Sequence, residues 1–240
     1  MSGHSKWAGI KHKKAIVDGK RGKAFTKHAA LIIVAARAGG GDLSTNATLR
    51  FAIESAKKDN VPNDNIERAI KKGTGELKDG AEIQEVVYEA YGPGGLALII
   101  DCLTDNKNRT VTNLRTLLGK WGGRLGESGS VGYLFDRKGV VSVPVGNKSA
   151  EELELLAIDS GADDFGVEEG VLHLTCPPSA MSALMEAFKK AGAAPEVAEV
   201  RKLPKTTVTP DAPTLEKITA LLDALDEDLD VNEVAHNGAF

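Results

Sequence analysis

The sequence predicts an α+β chain: an N-terminal three-helix domain, then two α/β domains, one of them ferredoxin-like and inserted in the other. Three observations carry this. Apolar residues recur at three- and four-residue steps up to about residue 73, then shift to short strand-like runs from Val86. A β-α-β-β-α-β series runs from Val140 to Lys202, the order of the split βαβ arrangement. Between them, two strands and one helix at 85–121 lack a complete core, and a helix and strand near the C-terminus can complete it. The expected domains are therefore 1–75, then 76–135 together with 205–240, with 136–204 inserted.

The first helix starts near Lys23, turns Phe25, Ala29, Ile32, Ile33 and Ala36 inward, and stops at Gly39-Gly40-Gly41. The second follows the polar start Ser44-Thr45-Asn46 and ends before Val61-Pro62, because a residue preceding proline is pushed out of the helical region. The third opens at Asn63-Asp64, with Asp64 and Glu67 spaced as a capping box, and ends at Gly73-Thr74-Gly75. Residues 76–84 read as a linker. Val86–Tyr91 and Leu96–Leu103 form two strands joined by Gly92-Pro93-Gly94-Gly95. That turn lacks the Gly-Lys-Ser/Thr ending of a phosphate loop and joins two strands, so it is not read as one. A helix from Thr110 to about Trp121 follows, then a flexible glycine-rich connection over Gly122–Ser130 and a strand at Val131–Phe135.

The inserted unit has strands at Val140–Val145, Phe165–Glu168, Val171–Cys176 and Glu196–Lys202, with helices at Ser149–Ser160 and Pro178–Ala191. A last helix directs Leu215, Ile218, Leu221, Leu222 and Leu225 inward and leads to Val231–Val234.

Composition bounds the class. The 42% hydrophobic and 27% charged residues are those of an ordinary globular chain. No apolar run approaches 18 residues, which argues against a membrane span. The N-terminus lacks a secretory apolar core and is too Lys-rich and Ser-poor for a mitochondrial presequence. Cys102 and Cys176 both sit in strand-like runs and are too few for a disulfide framework or zinc site, so a cytoplasmic location is expected.

Charge gives the functional signal. The first thirty residues hold eight Lys and Arg and one acid, Asp18, a net +7. Residues 1–75 carry 15 basic and 6 acidic groups, a net +9 in a chain of −4, which leaves −13 for the rest. Such asymmetry points to a polyanionic partner for one end, against the plainer reading of a basic tail that only aids solubility. Trp7 among the lysines favours nucleic acid, since an indole stacks on an unpaired base while lysines meet phosphates. The expected nucleic-acid-binding residues are Lys6, Trp7, Lys11, His12, Lys13, Lys14, Lys20, Arg21, Lys23 and Lys27, then Arg68, Lys71 and Lys72, and finally Lys107 and Arg109. Arg115, Lys120 and Arg124 thicken that last group.

Catalytic and metal motifs are not found. No two of His4, His12, His28, His173 and His236 have the i, i+4 spacing of a helical zinc site. Asp105-Asn106-Lys107-Asn108 fails as a calcium loop, with lysine at its third position and Thr116 where the closing Glu belongs. Gly126-x-Ser128 is followed by Ser130 where a nucleophile elbow needs Gly. The reading is therefore no enzyme, no catalytic residue, no metal, no cofactor and no small-molecule substrate.

Several stretches resemble the YebC family. They are Gly3-His4-Ser5-Lys6-Trp7, Ile10-Lys11-His12-Lys13-Lys14, Lys20-Arg21-Gly22-Lys23, Asn63–Ile70, Tyr88–Gly95, Thr104-Asp105-Asn106 with Asn108-Arg109-Thr110, and Gly126–Val131, together spanning nearly the whole chain. The resemblance implies a three-domain, cleft-bearing bacterial protein described as a transcriptional regulator. Related proteins are mitochondrial translational activators of cytochrome c oxidase, and some bacterial members are described as ribosome-associated translation factors. Departures are small: Asn63 stands where Lys is expected, Lys107 where Arg is common, and Trp121 near the glycine pair. The functional expectation is a DNA-binding transcriptional regulator; the alternative is a factor that contacts ribosomal RNA and aids translation. No recognition helix with Asn, Gln or Arg spaced for base edges is evident, which leaves both open.

Overall fold

The computed structural model describes residues 21–77 and 80–240. These form two compact units: 21–132 with Pro210–Val234, and Tyr133–Thr209 with Ala235–Phe240.

The first unit opens with three helices, α1 (Arg21–Gly39), α2 (Ala47–Lys58) and α3 (Asn63–Gly73). Their inward stripes make one core of Ile32, Ile33, Ala36, Leu49, Ile53, Ala56, Ile66 and Ala69. Asn46 organises the α1–α2 turn: its Oδ1 accepts from Leu49 N at 3.0 Å, while its Nδ2 donates to the carbonyls of Ala35 and Gly40, both at 2.8 Å. One buried amide thus satisfies the end of one helix and the start of the next. The capping box expected at Asp64 does not form. Pro62 occupies the cap with no side-chain bond, and Asp64 sits inside the first turn, where the helix dipole favours its charge.

Gly73 lets α3 close on α1. A Cβ there would lie 2.5 Å from the Ile33 carbonyl oxygen and 2.6 Å from the Ala36 methyl. Gly73→Ala is therefore expected to cost about 1–3 kcal/mol by forcing the helices apart, checked by urea denaturation.

The unit continues with the sheet β1 (Gln84–Tyr91), β2 (Ala97–Thr104), β3 (Arg124–Leu125) and β8 (Val231–His236), in the order β3-β1-β2-β8. Helices α4 (Lys107–Lys120) and α7 (Ala212–Glu227) complete it. Strands β1 and β2 pair antiparallel, with Tyr88 opposite Ile100. Leu98, Ile100, Leu114, Leu118, Ile218, Leu221 and Leu225 are all fully buried.

The second unit holds β4 (Phe135–Pro144), α5 (Ala150–Asp159), β5 (Asp164–Glu168), β6 (Val171–Cys176), α6 (Met181–Lys190) and β7 (Val197–Pro204). Its sheet order β5-β6-β4-β7, antiparallel throughout, is the ferredoxin-like order of second, third, first and fourth strands. Phe188, Leu184, Leu153, Leu172 and Leu174 form its core. His173, read as a strand residue, is buried and within 3.1 Å of Ser142 Oγ through Nδ1.

Two sequence expectations change here. No strand spans Val131–Phe135: Gly132–Leu134 is a short 3-10 turn, and β4 runs unbroken from Phe135. Nor is the glycine-rich connection simply flexible. It contributes β3, and its second half is pinned to β1 by Glu89.

Candidate nucleic-acid interface

Lys6, Trp7, Lys11, His12, Lys13, Lys14 and Lys20 lie outside the described residues, and Arg21 is the first residue of α1. The remaining sequence-named residues fall on three elements. On α1, Lys23 Nζ donates to the Glu227 carbonyl at 3.3 Å. Lys27 Nζ donates to the Asp226 carbonyl at 2.6 Å and lies 3.6 Å from its carboxylate. Both cations thus meet the C-terminal end of α7, where exposed carbonyls and the helix dipole attract positive charge. These lysines tie α1 to α7.

Arg68, Lys71 and Lys72 occupy the last two turns of α3 at i, i+3 and i+4 spacing, which places them along one face. Arg68 and Lys71 are exposed. At the start of α4, Lys107 is exposed and Arg109 is engaged. Arg109 Nη2 donates to Asp230 Oδ1 at 2.7 Å and to Asp105 Oδ1 at 2.9 Å, and its Nε donates to Asp230 Oδ2 at 3.3 Å. The Asp230 hydrogen bond, outweighing partial burial, holds the guanidinium above its ordinary pKa. Asp230 is buried and also accepts from Thr110 Oγ1 at 2.8 Å, while its carbonyl accepts from Leu103 N. Arg109 thus locks the start of α4 to the segment leading into β8.

Sequence reasoning missed Asp230 and Glu89, because each acts on partners far along the chain. The Glu89 carboxylate accepts backbone N–H bonds from Gly129 at 2.7 Å, Val131 at 2.6 Å and Gly132 at 2.7 Å. Burial pushes its pKa up, but the three N–H bonds together outweigh it and hold the carboxyl below the usual range. Tyr91, two residues on, donates its hydroxyl to the Ser130 carbonyl at 3.0 Å. One strand therefore fixes both sides of the 126–132 loop.

A cleft of about 440 Å³ lies between α1 and the first sheet, lined by Leu31, Val34, Ala38, Asn46, Glu85 and Asn232 among others. None of the sequence-named residues lines it. No group of three or more His, Cys, Asp or Glu side chains able to hold a metal occurs among the described residues. Among those residues no helix is long and apolar enough to cross a membrane.

Comparison with known proteins places these features in a family. Residues 5–76 match the model of the TACO1/YebC protein N-terminal domain, and residues 83–238 match that of the TACO1/YebC second and third domain. The chain belongs to the TACO1/YebC family. It is 50% identical over 238 residues to a probable transcriptional regulatory protein of Thermoanaerobacter pseudethanolicus, covering 99% of this chain and 96% of that one. A protein of the same description from Rhodopirellula baltica is 50% identical over 241 residues, covering 100% and 97%. The crystal structure of a conserved hypothetical protein from Aquifex aeolicus matches this TACO1/YebC chain with a TM-score of 0.82 at 47% identity, covering 97% of this chain and 96% of that one.

Proposed function

We propose that this chain is a non-enzymatic, nucleic-acid-binding regulator of gene expression that acts on DNA as a transcriptional regulator. The observation that carries the reading is the net +9 of residues 1–75 in a chain of −4. Charge segregated in this way supplies the sequence-independent part of nucleic-acid affinity. The names of the TACO1/YebC relatives, probable transcriptional regulatory proteins, support transcription as the process. Within the bundle, Arg68, Lys71 and Lys72 line one face of α3, with Lys71 exposed, whereas Lys23 and Lys27 donate to carbonyls at the end of α7. The contact is therefore assigned to the tail lysines Lys11, Lys13 and Lys14 together with the α3 face.

The reading predicts that replacing Lys11, Lys13 and Lys14 with Ala weakens DNA binding at matched salt and leaves the melting curve unchanged. The slope of log affinity against log salt flattens by roughly 0.9 for each phosphate that the variant no longer neutralises. Unchanged affinity and slope remove the tail from the interface. The process is tested separately by sedimenting lysate through a sucrose gradient, with and without DNase. Recovery with DNA fragments, away from ribosomes, supports transcription. Co-migration with ribosomes that survives DNase and weakens with salt replaces it with a ribosomal RNA contact in translation.

A further inference from the structure

The end of α4 and strand β3 bring two cations and two aromatic rings to one edge of the first sheet. Lys120 Nζ lies 5.1 Å from the Trp121 ring centroid, and the Arg124 guanidinium lies 4.8 Å from that of Tyr91. Tyr91 and Arg124 are directly opposite residues of β1 and β3, so they share one face. Strand β3 is only two residues long and forms the sheet edge.

Three features separate this edge from an ordinary solvated surface. Lys120 and Arg124 are exposed, and among the described residues neither has an acidic partner; Arg37, Arg109 and Lys138 do. The nearby carboxylate of Glu89 is committed to three backbone N–H groups. The ring under Arg124 is held in place by its hydroxyl bond to Ser130. A held ring with a guanidinium over it is a platform on which an unpaired base stacks, and a neighbouring lysine without an acidic partner suits the adjoining phosphate.

We propose that this edge is a second nucleic-acid contact, which takes an unpaired base on the Arg124–Tyr91 pair and a backbone phosphate at Lys120. It rests on the nucleic-acid reading above and extends it from the basic N-terminal region to the central sheet. The ligand chemistry, a base beside a phosphodiester, is common to single-stranded RNA and to melted DNA.

The test uses the full chain and fluorescence anisotropy with labelled oligo-U RNA, oligo-dT DNA and a DNA duplex over a salt series. Arg124→Gln and Lys120→Gln change exposed side chains only, and their melting curves are recorded alongside. The double variant is expected to bind either single strand about tenfold or more weakly, with the salt slope reduced by roughly 0.7 for the one phosphate left unpaired at Lys120. Arg124→Lys keeps the wild-type slope but not the affinity, because it retains the charge without the planar group. The larger loss on oligo-U or on oligo-dT identifies which strand the edge takes. Wild-type affinity and slope in the double variant, with binding abolished only in the Lys11, Lys13, Lys14 variant, overturn the edge contact and leave the tail reading standing. No binding by the wild type to any of the three overturns both.

Discussion

Asp230→Ala is expected to lower stability by about 3 kcal/mol, the largest effect of any exchange of a non-core residue in the first unit. Three donor groups lose the Asp230 carboxylate at once: the Arg109 Nε group, its Nη2 group, which retains Asp105, and the Thr110 hydroxyl. Thr110 is fully buried and keeps only the Asn106 carbonyl and the Thr104 hydroxyl as neighbours. Arg109 has a half-exposed side chain and can turn toward water, so the cost falls at the low end of that for breaking a buried pair. Asp230→Asn keeps shape and one acceptor and is expected to cost about half as much. Cys102 offers a local readout. Burial first, and then the charges of Asp228, Asp230 and Asp101, push its thiol up to about 12, which keeps it unreactive in the native state. Iodoacetamide labelling of Cys102 is expected to accelerate in Asp230→Ala as β8 leaves β2. An unchanged labelling rate together with unchanged urea denaturation would show that the Arg109 pair holds nothing.

The Asp230 lock also shows which parts of this molecule its sequence displays. Periodicity is local, so the stripe Leu114–Leu118 and the βαββαβ order were legible from runs of a few residues. The polar start Ser44-Thr45-Asn46 was legible for the same reason, since a cap acts three residues ahead, and Asn46 is the residue that supplies it. Asp230 meets Arg109 across 121 positions, and nothing near either residue marks the pairing. Arg109 alone reads as a free cation suited to phosphate; its partner gives it a structural occupation. Lys23 and Lys27 repeat the point, because their acceptors are carbonyls some 200 residues away, at the end of α7. Positive charge in the first 75 residues is a sound sequence-level quantity, but which cations remain available is decided by tertiary contacts. Asp64 fails as a cap for a local reason: Pro62 already sets the backbone of the turn before the helix.

Glu89→Gln is expected to release the 126–132 loop while leaving both sheets folded. A neutral amide oxygen accepts more weakly than a carboxylate, and its NH2 group faces backbone donors where an acceptor is required. The cost is about 2 kcal/mol, and it appears as faster amide exchange at Gly129, Val131 and Gly132 rather than as global unfolding. The sign with pH follows from the lowered folded-state pKa of Glu89. The unfolded chain takes up a proton on this group near pH 4.3, before the folded protein does. The Glu89 contribution is therefore fully present above that pH and is lost as pH falls from there through the folded value. Wild type and Glu89→Gln should accordingly differ in loop protection at pH 7 and converge as the solution is acidified. A constant difference across that range would mean that shape, not charge, holds the loop. The result also bears on the β3 edge: Tyr91 reaches the same loop through Ser130, so a loosened loop should weaken single-strand binding in Glu89→Gln although no cation has been removed.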